Sequence, residues 1–316
     1  MFSVSELHNE FDCIVLKDEN SGTQAIVVPS CGAILQQFSI QKNGKTFNVI
    51  DSYESSQDFK NNCTSKGFKG NKLSPFVCRL KKGNYNFANE RYHIEKFYLG
   101  ENAIHGLIYD VPFSVAGKNA GEKFASVTLK FEYGGFDPGY PFRYECEVGY
   151  ELRENNLLAV STTITNLDEG LIPIADGWHP YFTLGKKVDQ LQFEFQSKEM
   201  LEFDEQLIPT GKLLPYEEFS SLKKLGAQSF DNCFTLNFAE CQPLCVLRNA
   251  ADGIQVEIIP DRSYPYLQIY TPDHRNSIAI ENLSAAPDAF NNGIGIKVIE
   301  PGHSSTFKTN YKISRI

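Results

Sequence analysis

The chain has 316 residues, of which 41% are hydrophobic and 22% are charged. This composition is typical of a folded globular protein and not of a disordered or membrane protein. Acidic residues outnumber basic ones by 39 to 30, for a formal net charge of -9, and there is no long basic run. Nucleic acid and membranes are therefore not expected partners.

Apolar and polar residues alternate through most of the chain, as a half-buried antiparallel strand requires. In 125–133, Val127, Leu129 and Phe131 share one face. Similar patterns, bounded by turn residues, predict further strands at 24–30, 91–99, 143–152, 157–166, 190–197, 253–260, 266–273, 276–282 and 294–302.

Only two short helices are expected, at 55–62 and 215–225. The polar segment 51–71 is expected to be a loop, and a lid over a cleft is one hypothesis for it. Nucleotide-binding and serine-hydrolase motifs are missing. We predict an all-β protein, a single domain over 1–316 that forms one large antiparallel sandwich.

Eight cysteines are scattered through the chain without a CxxC pair, several of them in apolar runs. This usage is typical of reduced, buried thiols and predicts a cytoplasmic protein. The start of the chain does not resemble a secretion signal. Cys241 and Cys245 lack a second ligand pair, so no zinc site is expected.

His179 is the first candidate site residue. It lies in GWHPYFTLG, beside aromatic rings that could pack against a sugar while the imidazole reaches its oxygens. A core histidine bonded to a backbone carbonyl is the alternative. His105 precedes Gly106 in ENAIHG, which predicts an exposed loop at a strand end. His93 and His303 are interpreted as structural.

Glu281 ends the apolar run IAI and precedes a turn-rich segment. Apolar surroundings raise the pKa of a carboxyl group, which suits a general base that works near neutrality. An ordinary ion pair or a turn cap is the alternative.

Several motifs in order resemble those of the aldose 1-epimerase (galactose mutarotase) family over nearly the whole chain. PFVCRLKKGNYNF resembles its arginine motif, with Arg79, and ENAIHG resembles its Asn-x-x-His-Gly loop, with His105. GWHPYFTLG, SFDNCFTL and IAIENLSAAPDAFNNG supply His179, Asp231 and Glu281 in the family's positions. IPTG, DPGYPFRYECEVGYEL and VIEPGHSSTF resemble supporting segments.

The resemblance implies a large antiparallel β-supersandwich that interconverts the α and β anomers of a monosaccharide. It implies Glu281 as base and His179 as acid, with no cofactor or metal, in a monomer or homodimer. Arg79 and His105 would bind oxygens near the reacting carbon and Asp231 would accept from sugar hydroxyls. Trp178 or Tyr270 would stack on the ring.

The sequence departs from the family pattern in the Cys-Arg-Leu of the arginine motif and in the residue that follows His105-Gly106. The arginine that phosphosugar epimerases carry after this histidine is missing, so an unphosphorylated sugar is expected. Two alternatives stay open, a non-catalytic carbohydrate-binding protein and a glycan-cleaving enzyme on the same fold.

Overall fold

Thirty strands, two short α-helices and two 3₁₀ turns make up the computed structural model, which describes residues 1–316. The first sixteen strands are β1 (Phe2–His8), β2 (Asp12–Asp18), β3 (Gln24–Val28), β4 (Ile34–Lys42), β5 (Lys45–Asn48), β6 (Ile50–Asp51), β7 (Lys72–Leu73), β8 (Arg79–Leu80), β9 (Asn84–Phe87), β10 (Glu90–His93), β11 (Tyr98–Leu99), β12 (Asn102–Ile104), β13 (Ser114–Ala120), β14 (Phe124–Tyr133), β15 (Tyr144–Arg153) and β16 (Leu157–Asn166).

The second half of the chain contains fourteen more strands, of which the first three are very short. These are β17 (Ile172–Ile174), β18 (Gly177–Trp178), β19 (Tyr181–Phe182), β20 (Gln192–Phe195), β21 (Ser197–Phe203), β22 (Pro209–Pro215), β23 (Lys223–Lys224), β24 (Asp231–Leu236), β25 (Cys245–Asn249), β26 (Ile254–Pro260), β27 (Tyr266–Tyr270), β28 (Ile278–Leu283), β29 (Lys297–Ile299) and β30 (Ser304–Arg315). The helices are α1 (Ser56–Asn62) and α2 (Ala289–Asn292), and the 3₁₀ turns are Lys81–Gly83 and Val188–Gln190. Neither α-helix has the length and apolar character needed to cross a membrane.

Two large antiparallel sheets dominate the fold. One has nine strands in the order β13-β14-β15-β16-β30-β26-β25-β20-β23. The other follows β22-β21-β24-β27-β28-β18-β7, with β19 and β6 attached through β28. A five-stranded sheet, β1 to β5, joins them. The predicted all-β sandwich is confirmed.

The core lies between these sheets because alternate side chains of each strand point inward. Leu158, Val160 and Ile164 of β16 are buried, with half-buried residues between them. Across the core, the rings of Tyr150 and Trp178 meet edge to face with centroids 5.9 Å apart. The opposite face of the second sheet is left free to form a cleft.

The strand predicted at 91–99 is two strands, β10 and β11. The carboxylate of Asp137 accepts the backbone N–H groups of Glu95 and Lys96, at 3.1 and 2.8 Å respectively, so these groups do not join a strand ladder. Ile94 turns into the core between them and is fully buried.

The helix predicted at 55–62 is confirmed as α1, where the Ser55 hydroxyl accepts the Asp58 N–H at 3.0 Å as an N-cap. The prediction of a helix at 215–225 is wrong. There the backbone N–H groups of Tyr216 and Leu225 bond to carbonyls of Lys198 and Leu191, on other segments. Because these donors are engaged elsewhere, they cannot make helical hydrogen bonds.

Segment 51–71 is more ordered than a loop. It contains α1, and Phe59, Cys63 and Phe68 bury their side chains in a small apolar cluster of their own. All eight cysteines of the chain are free, and all except Cys241 are buried, as the sequence predicts.

Candidate active site

A cleft of about 200 Å³ opens on the free face of the second sheet. Its lining is Thr64, Gly67, Phe68, Cys78, Arg79, Phe97, Leu99, Ile104, His105, His179, Tyr181, Asp231, Gln268, Tyr270 and Glu281. Six of the seven site residues predicted from the sequence are among them. The volume is below the about 300–1,000 Å³ of pockets for drug-sized ligands, so a small molecule suits it.

Two larger surface depressions, of about 730 and 570 Å³, lie elsewhere and neither contains a histidine. No three His, Cys, Asp or Glu side chains cluster closely enough anywhere to hold a metal ion. The histidine and carboxyl side chains predicted for the site lie together in the smaller cleft.

His179 and Glu281 lie side by side at the base of this cleft. His179 directly follows β18 and Glu281 lies in β28, the neighbouring strand. His179 Nε2 is 3.4 Å from Glu281 Oε1, and both side chains are almost completely buried. His179 Nδ1 and Glu281 Oε2 have no hydrogen-bond partner in the protein. Both groups are therefore available to a ligand.

The burial of this pair determines its electrostatics. Loss of water raises the pKa of Glu281 well above its ordinary value, and the Asp231 carboxylate adds to the rise while Arg79 opposes it. Burial lowers the pKa of His179 to about 3. Both shifts disfavour a charged side chain, so burial favours a neutral carboxyl group beside a neutral imidazole.

His105 packs against the same pair. Its ring meets the His179 ring edge to face, with centroids 5.0 Å apart, and Phe68 covers its other side at 4.7 Å. It follows β12 as predicted, but it is buried, which corrects the expected exposed loop. Burial first, and then His179 and Arg79, lower its pKa well below the ordinary value.

A polar wall faces the histidines. Asp231 begins β24 and is paired with Tyr270 on β27. Gln268, also on β27, is paired with Glu281 across the sheet and donates Nε2–H to Asp231 Oδ1 at 2.9 Å. Burial raises the pKa of Asp231, while Arg79 and Gln268 oppose this rise.

Gln268 is a cleft residue that was not predicted from the sequence. Its buried Oε1 lacks a protein partner, and it lines the cleft beside the catalytic candidates. The only signal for it was its place at the centre of the alternating segment 266–273. The apolar wall of Phe68, Phe97, Leu99 and Ile104 was also missed, because these residues come together only in the folded chain.

The structure does not support Trp178 as a sugar-stacking residue. It precedes His179 by one residue, so strand alternation sends its side chain to the other face of the sheet. There it is buried in the main core against Tyr150. Tyr181, two residues beyond His179, instead stacks on the imidazole with centroids 5.1 Å apart. Tyr270 stays a candidate for ring stacking, because it lines the cleft.

His105 is held in a rarely populated conformation. Its φ is 64°, in the left-handed region, as is the φ of 48° at Cys78 beside Arg79. The two backbones are joined by a hydrogen bond of 2.9 Å from His105 N–H to the Cys78 carbonyl. The backbone segments that carry Arg79 and His105 therefore fix one another.

Gly106→Ala is expected to destabilise the protein strongly. Gly106 has a φ of 76°, and a Cβ at this position would collide with the backbone carbonyl of Ser74. Gly44→Ala is the matched control, since Gly44 has a φ of 73° and nothing within 4 Å of an added Cβ. Urea unfolding should show an additional loss of about 1–3 kcal/mol for Gly106→Ala over Gly44→Ala. Equal losses would contradict the close approach.

The sequence is similar to those of known epimerases. A family model described as aldose 1-epimerase matches residues 12–312. An aldose 1-epimerase from Streptococcus thermophilus is 25% identical, with 93% of this chain and 92% of that protein covered. A maltose epimerase from Levilactobacillus brevis is 24% identical over the same shares.

Solved structures agree on the fold. A galactose mutarotase-like protein from Clostridium acetobutylicum superposes with a TM-score of 0.87 at 18% identity, over 100% of this chain and 99% of that one. A galactose 1-epimerase from Lactobacillus acidophilus gives 0.80 at 19% identity, over 100% and 98%. With the family model matching almost the whole length, the chain belongs to the aldose 1-epimerase family.

Proposed function

We propose that this protein interconverts the α and β anomers of an unphosphorylated aldose. The observation that carries the proposal is the buried carboxyl and imidazole pair, His179 and Glu281, in a cleft of monosaccharide size. Ring opening needs one group to remove the proton of the C1 hydroxyl and another to protonate the ring oxygen. This pair supplies both groups.

Glu281 is the base and His179 the acid. Glu281 takes the C1 hydroxyl proton as the C1–O5 bond breaks, and His179 donates a proton to O5. The free aldehyde turns about C1–C2, and closure on its other face returns both protons. His179 Nε2 lies 3.4 Å from Glu281 Oε1, so a proton that moves from the carboxyl group to the imidazole produces the carboxylate and imidazolium that these roles require.

The remaining polar groups orient the sugar. Arg79 and His105 donate to oxygens near the reacting carbon and stabilise the charge that develops there. Asp231 accepts hydrogen bonds from sugar hydroxyls. Gln268 can do the same, because its Oε1 is buried and has no partner in the protein. Arg79 is the only arginine in the lining of the cleft, which contains no lysine. A phosphate would favour further arginine donors, which supports an unphosphorylated substrate.

The free cysteines support a reducing compartment, and we propose the cytoplasm. The monosaccharide is the proposed partner.

Asp231→Asn is expected to weaken sugar binding more than it slows the chemical steps. The change keeps the shape of the side chain but removes the charge that accepts hydroxyl hydrogen bonds. A hydrogen bond to a charged group contributes about 1.5–3 kcal/mol, so KM should rise by about 10- to 100-fold with a smaller change in kcat. Polarimetry across a range of sugar concentrations checks this. An unchanged KM would remove Asp231 from the binding site.

Polarimetry also tests the function itself. Freshly dissolved α-D-glucose, α-D-galactose and α-maltose are followed with and without the protein, since one relative is a maltose epimerase. Acceleration of any of them supports the proposal and ranks the sugars. Binding without acceleration would favour a carbohydrate-binding protein, and shortening of an oligosaccharide would favour a glycan-cleaving enzyme.

A further inference from the structure

A second charged pair lies behind the active site, in the core between the sheets. Lys72 Nζ is 2.6 Å from Asp176 Oδ2, and neither side chain has any solvent exposure. Lys72 also donates to the Gly177 carbonyl at 3.0 Å and lies over the Trp178 ring, 4.5 Å from its centroid. The proposed proton transfers use none of these groups.

Further hydrogen bonds hold Asp176 in place. The Tyr264 hydroxyl donates to Asp176 Oδ1 at 2.6 Å. The Asp176 N–H donates to the Ser284 hydroxyl at 2.7 Å, and the Ser284 N–H donates to the Asp176 carbonyl at 2.8 Å. We call Lys72, Asp176, Tyr264 and Ser284 the buried network.

The buried network is attached to both catalytic candidates through the backbone. Asp176 lies three residues before His179, and Ser284 lies three residues after Glu281. Lys72 follows Asn71, whose carbonyl accepts the His179 N–H at 3.1 Å. Strand alternation puts these side chains on the opposite face of the strands from the cleft.

The strands that need this attachment are very short. β7 and β18 have two residues each, and β18 pairs with β28 through Gly177 and Leu283 only. A shift by one residue would turn His179 from the cleft into the core. Backbone hydrogen bonds of His179 with Asn71 and Gly70, at 3.1 and 2.8 Å, extend this short pairing. A side-chain contact can add to a register that so few positions specify. A Lys72–Asp176 contact is formed in one register only.

A buried ion pair is a poor source of stability, because removing two charges from water offsets most of their attraction. Specifying one arrangement is the better attested use of such pairs. This distinction makes the role testable, since hydrophobic replacement of both residues should leave the stability intact.

We propose that the buried network positions the proton-transfer pair: Lys72 and Asp176 set the register of β18 between β7 and β28, and so hold His179 Nε2 against Glu281. They are positioning residues and do not contact the sugar. The inference rests on the proposed function for its kinetic consequence, but its structural consequence is independent of it.

The double variant Lys72→Met/Asp176→Leu tests the proposal without leaving a lone buried charge. Its midpoint of urea unfolding should stay near that of the wild type, lowered only because the buried Tyr264 hydroxyl loses its acceptor. Its kcat should fall by about 10- to 100-fold, the effect of misplacing a catalytic group by about 1 Å. KM should change little, because Asp231 and Arg79 lie on other strands. A folded double variant with wild-type kcat would overturn the proposal.

A milder variant covers the case in which the double variant does not fold. Tyr264→Phe removes one hydroxyl from Asp176, and Tyr85→Phe is its control, since the buried Tyr85 hydroxyl bonds instead to the Gly139 carbonyl at 2.8 Å. Tyr264→Phe should lower kcat by about fivefold, the value of one hydrogen bond of about 1 kcal/mol. Equal kcat values in the two variants would overturn the proposal.

Imidazole ¹⁵N NMR separates this proposal from the proposed function. In Tyr264→Phe the His179 resonances should shift while those of the exposed His93 stay unchanged. Unmoved His179 resonances would count against the positioning role even in an active enzyme. A wild type that accelerates no aldose would contradict the proposed function, and the His179 resonances would still report on the network.

Discussion

Glu281→Gln is expected to lower kcat by about 10²–10⁴-fold, the usual contribution of a general base. The amide has nearly the same shape as the carboxyl group but cannot take the C1 hydroxyl proton. KM should change much less, because the other polar groups of the cleft remain. Polarimetry, corrected for uncatalysed mutarotation, measures the change.

The same substitution should preserve or increase stability above pH 4.5. The pKa of Glu281 is raised by burial, whereas the unfolded chain ionises near 4.5. Below pH 4.5 both states hold the proton. As the pH rises above 4.5 the unfolded state ionises first, so the folded state of the wild type loses stability. Glutamine removes this loss.

Glu90→Gln is the control, since Glu90 is exposed on β10, away from the cleft. It should leave both kcat and the pH dependence of unfolding unchanged. A Glu281→Gln protein with wild-type activity would exclude Glu281 as the base. An inactive protein that is also unfolded would be uninformative for kinetics, so unfolding curves are recorded on every preparation.

His179→Gln is expected to produce the second large loss, again about 10²–10⁴-fold in kcat, because the proposed mechanism assigns protonation of the ring oxygen to His179. Glutamine keeps a polar side chain beside Glu281 but does not transfer a proton. His93→Gln, on the exposed strand β10, is the control. Retained activity in His179→Gln would assign the acid to His105, the other imidazole of the cleft.

The pH dependence of stability provides an independent check on His179. Its pKa is about 3 in the folded protein and near 6.5 when unfolded. Above pH 6.5 both states are neutral, and below it the unfolded state takes up a proton first. The wild type should therefore lose stability as the pH falls from 6.5 towards 3. His179→Gln should reduce this slope, and His105, shifted in the same direction, should account for part of the remainder.

The fold was largely predictable because strand alternation is a local property. The segment 157–166 reads as a strand in the sequence and is β16 in the structure. Predictions were wrong where groups from distant parts of the sequence form hydrogen bonds with the backbone. Asp137 ends the strand at 91–99, and hydrogen bonds to carbonyls of other segments replace those of the helix expected at 215–225.

The strand pattern is readable from the amino-acid sequence alone, and its ordered motifs point to His179 and Glu281 as the proposed catalytic pair. Which groups share the cleft depends on the tertiary structure, which places Gln268 in the cleft and Trp178 in the main core. The pKa shifts of the cleft also depend on it, as does the contact of Lys72 with Asp176, which are 104 positions apart in the chain. Burial and distance depend on residues far apart in the chain, and no local pattern encodes them.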